Sequence, residues 1–351
     1  MTETFAKRLL SPCQRLAWAF LLTLGKGVRG AMSEIPSVGV IGVGRLGTAL
    51  CACLAQAGLP LAAIASRRRE RAEELARALA ANYGCQVRAV ETSDMASYAD
   101  LIFVATPDGA ISLVAGCVAW RKGQIAVHVS GAETLGVLGE AAQAGASRAS
   151  FHPLNTFPAV PWDKPGLAFA AATLAHSYVA LAADQAQAEE TLKQLASSIC
   201  RGYFTVRESD RVLYHAAAVF ASNFVTGLVG ASLGLWQTIG YGEREALAFM
   251  APLMSSACAN ILRLGPVQAL TGPAARGDVA TVAKHLEALA ALPAEAGLAE
   301  LYRALTLALL PLARGAGTLS QASDVKVRQL LIKEHEHARN DEVQNSPCHS
   351  N

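Results

Sequence analysis

The stretch "VGVIGVGRLGTALCACLAQAG", residues 38–58, has the pattern of a strand, a glycine-rich turn and a helix. Val38 to Ile41 is a short apolar run, too short for a helix and rich in β-branched residues. Gly42, Gly44 and Gly47 follow as GxGxxG, with Arg45 and Leu46 between the second and third glycines. Ala49, Leu50, Cys53 and Leu54 then recur at helical spacing until Gly58. A strand before the glycines and a helix after them is the context a dinucleotide-binding turn requires. Gly42 allows the tight turn, Gly44 lets a pyrophosphate approach the backbone, and Gly47 lets the helix pack close to the strand. The free N–H groups of the helix start then face the phosphates.

"LPLAAIAS" is a second strand ending at Ser66, and "RRRER" follows from Arg67 to Arg71. A cofactor without a 2′-phosphate meets an acid at this strand end, about 20 residues beyond the glycines. Ser66 and Arg67 stand there instead. A hydroxyl and a planar guanidinium suit a 2′-phosphate, so NADP(H) is expected over NAD(H). Arg69 and Arg71 read as the solvated start of the next helix, whose buried stripe is Ala72, Leu75, Ala76 and Leu79.

The alternation continues. "CQVRAV" is a third strand. "ADLIFVATPDGAI" is a fourth, leaving through Thr106 and Pro107 into a helix that Asp108 can cap. "QIAVHVSGAETL" is a fifth, leaving through His128, Ser130 and Gly131, and "SRASFHP" is a sixth, ending in His152 and Pro153. "GLAFAA", a helix from about 184 to 198, and "YFTV" complete this half. Strands alternating with helices mean a parallel doubly wound sheet. Ligands bind beyond the carboxyl ends of such strands, where Gly42, Ser66, Thr106, Ser130 and His152 all fall.

From Ser209 the pattern becomes helical, without further strands. The fold class expected is α/β: a Rossmann-type doubly wound sheet over 35–207, followed by an all-α domain over 208–333. Residues 1–34 read as an extension outside the fold and 334–351 as a polar, disordered tail. The extension carries "LAWAFLLTLG", residues 16–25, behind Lys7, Arg8 and Arg15. That pattern is also compatible with a signal segment or a membrane-surface helix. However, ten apolar residues fall well short of the roughly 20 that span a bilayer. His335, His337, Cys348 and His349 in the tail have nothing to fix a metal geometry.

The first long helix, "SDRVLYHAAAVFASNFVTGLVGASLGLW", is almost wholly apolar and is expected to be buried, with Ser209 or Asp210 as its cap. His215, Ser222 and Thr226 interrupt it at positions within roughly 40° of one another around the axis, and Asn223 borders them. Ser222 and Thr226 can instead bond back to the carbonyl four residues earlier. In "LTGPAARGD", Arg276 suits a substrate carboxylate or an interhelical ion pair, and Asp278 can cap the next helix.

Half the residues are hydrophobic (52%), 17% are charged, and the net charge is +2, which gives no global case for nucleic-acid binding. The eight cysteines show neither CxxC pairs nor metal spacing, so they read as reduced thiols in a cytoplasmic protein. No metal site and no membrane partner are expected.

The motifs "VGVIGVGRLG", "ATPDGAI", "HVSGA", "FHPLNTF", "LYHAAAVFASNF" and "LTGPAARGDVATVAKHL" together resemble a bacterial family of predicted oxidoreductases. In that family a Rossmann-like domain precedes a domain of unknown function. The resemblance runs from about Val38 to Leu312. It places the chain in a broader group with pyrroline-5-carboxylate reductase, prephenate dehydrogenase and 6-phosphogluconate dehydrogenase. It implies NADP binding, a 6-phosphogluconate dehydrogenase-like helical domain and, often, dimerisation through that domain. Prephenate dehydrogenases carry a similar His-Pro after the sixth strand, with a serine about 20 residues earlier. There the histidine contacts the reacting hydroxyl. His152 and Ser130 match that pattern. The Lys-x-x-x-Asn pair of the β-hydroxyacid dehydrogenases is missing, and His215 and Asn223 stand on a comparable helix eight residues apart.

These readings combine into hydride transfer between NADPH and a small, anionic carbonyl or imine substrate. His152 exchanges the proton and Ser130 bonds the reacting heteroatom. His215, Asn223 and Ser222 cover the substrate, and Arg276 holds its anionic end. A purely structural His152, and a non-catalytic NADP-binding regulator or scaffold, are the alternatives.

Overall fold

The computed structural model describes residues 35–293 and 297–344. The expected extension, and the side chains of His335, His337, Cys348 and His349, lie outside the described residues. The chain divides into two compact units, one ending at Thr226 and the other beginning at Gly227.

The first unit is built on one eight-stranded sheet in the order β3-β2-β1-β4-β5-β6-β7-β8. Its strands are β1 (Val38–Ile41), β2 (Leu61–Ala65), β3 (Arg88–Ala89), β4 (Leu101–Val104), β5 (Ile125–His128), β6 (Ser147–Pro153), β7 (Tyr178–Ala183) and β8 (Gly202–Thr205). Neighbours from β3 through β6 pair in parallel, and β7 runs antiparallel to β6. Helices α1 (Arg45–Gln56), α2 (Arg69–Tyr83), α3 (Ile111–Gly116), α4 (Gly139–Gln143), α5 (Lys164–Ala175) and α6 (Ala186–Ile199) connect them.

Burial on both faces explains the uniformly apolar central strands. In β4, Leu101 and Phe103 enter one core with Leu50, Leu54 and Phe151. Ile102 and Val104 enter the other with Ile41, Met95 and Ile111. Phe103 meets Phe151 edge-on at 5.5 Å between ring centroids.

Two local expectations change. "GLAFAA" is the body of α5, capped by the Asp163 carboxylate, which accepts from Gly166 N at 2.8 Å. The strand that follows is "YVALAA". Six-residue apolar runs do not by themselves distinguish a buried strand from a buried helix. Asp108 makes no side-chain cap; a short 3-10 turn at Asp108–Ala110 leads into α3 instead.

Helix α7 (Arg211–Ala221) closes the first unit. The division into compact units falls after Thr226, and the start of α7 bonds to the sheet. The Arg211 side chain is fully buried and donates to Ser150 Oγ at 2.7 Å and to the Ser130 carbonyl at 2.6 Å. The long helix is broken at Ser222 (φ −133°, ψ −71°), after which α8 (Asn223–Thr238) begins. Asp210 stands at the N-cap of α7 without a capping side-chain bond.

The second unit is helical throughout its described residues. It holds most of α8, then α9 (Glu243–Ala269), α10 (Pro273–Arg276), α11 (Val279–Ala290), α12 (Leu298–Gly315) and α13 (Gln321–Gln344). Helix α13 extends into the stretch expected to be disordered. Its core is Val282, Leu286, Leu310, Ala313, Val327 and Leu331. Asp278 caps α11, accepting from Thr281 N at 3.0 Å and Thr281 Oγ1 at 2.7 Å.

The expected burial of the long apolar helix is not met within this chain. Phe220, Phe224, Val225 and Leu228 are exposed. The helical stretches Glu208–Thr238 and Glu243–Arg276 are long and apolar enough, by composition, to cross a membrane, and little of either apolar window is buried. An apolar helix demands cover, but its sequence does not specify that the same chain supplies it.

Candidate functional site

The carboxyl ends of β1, β4, β5 and β6 lie side by side in the first unit. At the end of β1, Gly42 adopts φ 107°, and its N–H donates to Ala65 O at 2.8 Å. A Cβ there would lie 2.5 Å from the Ala105 carbonyl oxygen. A Cβ on Gly47 would overlap the carbonyl oxygen of Gly42, so α1 packs against this turn only with glycine. Around Gly44, by contrast, nothing lies within 4 Å of a Cβ position. Space is kept open at the middle glycine alone. The first turn of α1 has neither a capping side chain nor an acid to occupy its N–H groups. Arg45 is exposed and Leu46 packs against the core. At the end of β4, Thr106 Oγ1 is buried without a hydrogen-bond partner, and Pro107 is exposed.

At the end of β2, Ser66 is half-buried, and Arg67 and Arg68 are exposed. Neither arginine forms an ion pair among the described residues. Arg69 is committed to Glu91 at 2.7 Å and Glu73 at 3.0 Å, and Arg71 lies 4.3 Å over the Trp162 ring.

The third group gathers at β5, β6 and α7. His152 Nδ1 lies 2.7 Å from the Tyr214 hydroxyl. Its ring meets Tyr214 and His215 edge-on, at 5.6 and 5.9 Å between centroids. A Cβ on Gly131 would lie 2.9 and 3.0 Å from Cε1 and Nε2 of His152 and would collide with His215 Nδ1. The two imidazoles therefore converge on the turn after β5. His215 Nδ1 is buried without a partner. Ser130 Oγ accepts from Ala132 N at 3.2 Å and Glu133 N at 3.1 Å, which leaves its hydroxyl proton to offer.

Asn223 and Ser222 do not join this group through hydrogen bonds. Ser222 Oγ lies 2.7 Å from the Ala218 carbonyl and 2.9 Å from Asn223 Oδ1. Asn223 is exposed, beyond the helix break and roughly 12 Å along the axis from His215. Thr226 likewise bonds back to Ser222 O at 3.4 Å. Arg276 is exposed at the end of α10, in the second unit, without an ion pair among the described residues. No cluster of three or more His, Cys, Asp or Glu suited to a metal occurs among the described residues.

Two family models match. Residues 28–153 match a Rossmann-like domain, and residues 177–309 match the domain of unknown function DUF2520. The chain carries a Rossmann-like domain followed by a DUF2520 domain. The DUF2520 match takes in β7, α6 and β8 as well as the helices that follow.

Among solved structures, this DUF2520 chain is similar to a candidate NADP oxidoreductase from Bacteroides fragilis. The identity is 24%, the TM-score 0.61, and 79% of this chain and 98% of that one are covered. A protein from Thermotoga maritima has 25% identity and a TM-score of 0.59 over the same shares. The 1-pyrroline-5-carboxylate reductase of Streptococcus pyogenes has 17% identity and a TM-score of 0.51, covering 85% of this chain and 99% of that one. Comparison with curated proteins gives no match.

Sequence reasoning missed three members of the DUF2520 chain's polar cluster. Arg211 reads as an ordinary charge at a helix start, and Tyr214 as part of the apolar face. His128, on β5, reads as a strand exit. It is fully buried, and neither ring nitrogen has a partner. The available signal was a cation and two polar rings within five residues of an otherwise apolar helix.

Burial, then the Arg211 and His152 charges, push His128 down to about 3. Burial, then His215 and Arg211, push His152 down to about 4, with Asp108 pulling the other way. Both rings are neutral in the fold and take a proton near pH 6.5 once unfolded. Below pH 6.5 the unfolded chain binds more protons, so stability falls as pH drops toward these values. The expected loss is about 1.4 kcal/mol per pH unit for each histidine. Urea unfolding at pH 7 and pH 5 measures it. His128→Leu should make the decline shallower, and an identical decline would remove His128 from the account.

Proposed function

We propose that the chain is an NADP(H)-dependent oxidoreductase acting on a small carbonyl or imine substrate with an anionic end. The observation that carries this reading is the shared strand-end edge. It holds the open space at Gly44, the unpartnered Thr106 hydroxyl and the His152 ring together in one unit.

The residues fit the cofactor. Gly42, Gly44, Arg45, Leu46 and Gly47 would hold the pyrophosphate, Thr106 and Pro107 would border it, and Ser66 with Arg67 would take the 2′-phosphate. When bound, NADPH supplies a hydride to the substrate carbon. His152 exchanges the proton at the heteroatom from Nε2, the nitrogen not engaged by Tyr214. Ser130 offers its hydroxyl proton to the same atom. His215 packs beside His152, and Asn223 and Ser222, further along, serve the remainder of the substrate. The similarity to NADP-linked reductases in fold supports the same chemistry.

The experiment is a fluorescence titration of the full chain with NADPH and, in parallel, NADH. NADPH is expected to bind tightly and with clear preference. Arg67→Ala should weaken NADPH by about 10- to 100-fold and leave NADH unchanged, as expected for losing a hydrogen bond to a charged group. Arg69→Ala, whose guanidinium is already paired, should change neither. Binding of neither nucleotide would end the oxidoreductase reading.

The exposed apolar faces of α8 and α9 support a homodimer through the helical domain, tested by sedimentation. The buried, unpaired thiols of Cys51 and Cys53 accord with a cytoplasmic location.

A further inference from the structure

The geometry points to Tyr214 as the positioning residue that holds His152 as its Nε2–H tautomer and resupplies the proton that the ring delivers. This rests on the reading of His152 as the proton donor.

His152 Nδ1 and the Tyr214 hydroxyl are 2.7 Å apart, and one hydrogen lies between them. Among the described residues, the Tyr214 hydroxyl has no other hydrogen-bond partner. If Nδ1 carried the hydrogen, the phenol proton would be left without a protein acceptor. A phenol donates strongly, and a pyridine-type ring nitrogen accepts strongly. Burial pushes the Tyr214 hydroxyl up to about 12, so the phenol keeps its proton, and the fully buried Arg211 cation, one turn earlier on α7, partly offsets that burial. The hydrogen of the neutral ring is therefore on Nε2, which faces the Gly131 turn. The Tyr214 ring is held in place by edge contacts to His152 and to Phe204, the latter at 5.8 Å.

The charged and titratable groups acting on the ring come from every side: Arg211, Tyr214 and His215 on α7, His128 on β5, and Asp108 after β4. On balance they and burial keep His152 neutral at physiological pH. A neutral imidazole that gives up its only N–H proton would become an imidazolate, so delivery needs a second proton.

As the substrate carbon takes the hydride, its heteroatom takes the proton from Nε2, and the N–H electron pair stays on the ring. The Tyr214 O–H breaks, Nδ1–H forms, and the phenolate keeps the oxygen pair beside Arg211. Water then returns a proton to the phenolate. The transfer runs downhill, because an alkoxide or an amide anion is a stronger base than a phenolate.

Nitrogen-15 NMR of the histidine-labelled full chain, without cofactor, tests this. His152→Gln assigns the signals. The expected wild-type result at pH 7 is a pyrrole-type Nε2 and a pyridine-type Nδ1, in about tenfold excess or more over the other tautomer. Tyr214→Phe keeps the ring but removes the hydroxyl, and it should bring the tautomers toward parity. A protonated Nδ1 in the wild-type chain overturns the proposal without any variant, and so do unchanged His152 signals in a folded Tyr214→Phe. Loss of NADPH binding alongside the expected tautomer would count against the oxidoreductase reading and leave this assignment standing.

Discussion

Gly47→Ala is expected to cost the chain about 3 kcal/mol of stability and to abolish saturable NADPH binding. The added methyl overlaps the Gly42 carbonyl oxygen and lies 3.5 Å from Ala105 Cβ. Neither backbone segment can yield cheaply. Gly42 N–H is tied to Ala65 O, and Ala105 N–H is tied to Ile41 O at 2.7 Å. Relief would require α1 to move off the sheet, exposing Leu50 and Leu54, which are almost fully buried. Gly44→Ala provides the contrast. Its φ of −73° suits alanine and its methyl meets nothing within 4 Å. Stability should stay within about 1 kcal/mol of wild type while NADPH affinity falls, because the methyl fills the approach left open for a ligand. Urea unfolding and nucleotide titration of both variants measure this. Equal stability of the two alanine variants would show that α1 is free to shift.

His152→Gln is expected to lower turnover of a carbonyl substrate by about 10²- to 10⁴-fold, the usual contribution of a positioned acid or base. NADPH affinity should remain within about threefold, because the ring belongs to β6 and the glycine turn to β1. Glutamine keeps a donor at this site but cannot pass a proton. The measurement is steady-state turnover on a panel of carbonyl and imine substrates, with nucleotide affinity taken separately. A small loss on an imine would favour reduction of the pyrroline-carboxylate type, in which no dedicated histidine gives the proton. A loss of affinity equal to the loss of turnover would make His152 a structural support of the nucleotide site.

The contrast between these two residues and the ones missed shows what was legible. The turn at 42–47 could be read because its constraints are local: a tight turn, a close helix and an approach for a ligand all act within ten residues. The sixth strand could be read for the same reason, and β6 spans the quoted "SRASFHP". "GLAFAA" and "YVALAA" could not be told apart as helix and strand, because the antiparallel partner of β6 is chosen by pairing between distant segments. The polar stripe on the long helix assumed continuous rotation, and the break at Ser222 resets the phase before Asn223. Arg211 and Tyr214 were hidden because helical periodicity shows that a face is apolar but not which unit it packs on. Their partners, Ser130, Ser150 and His152, lie about 60 to 80 residues earlier in the chain.

The anchoring of α7 by Arg211 has an evolutionary reading. A gene fusion that joined new helices directly after the last strand would discard the phenol beside His152 and leave Ser150 and the Ser130 carbonyl without their guanidinium. A fusion after Thr226 would inherit all of them intact. The boundary between the two compact units therefore lies inside what looks, in sequence, like one uninterrupted helix.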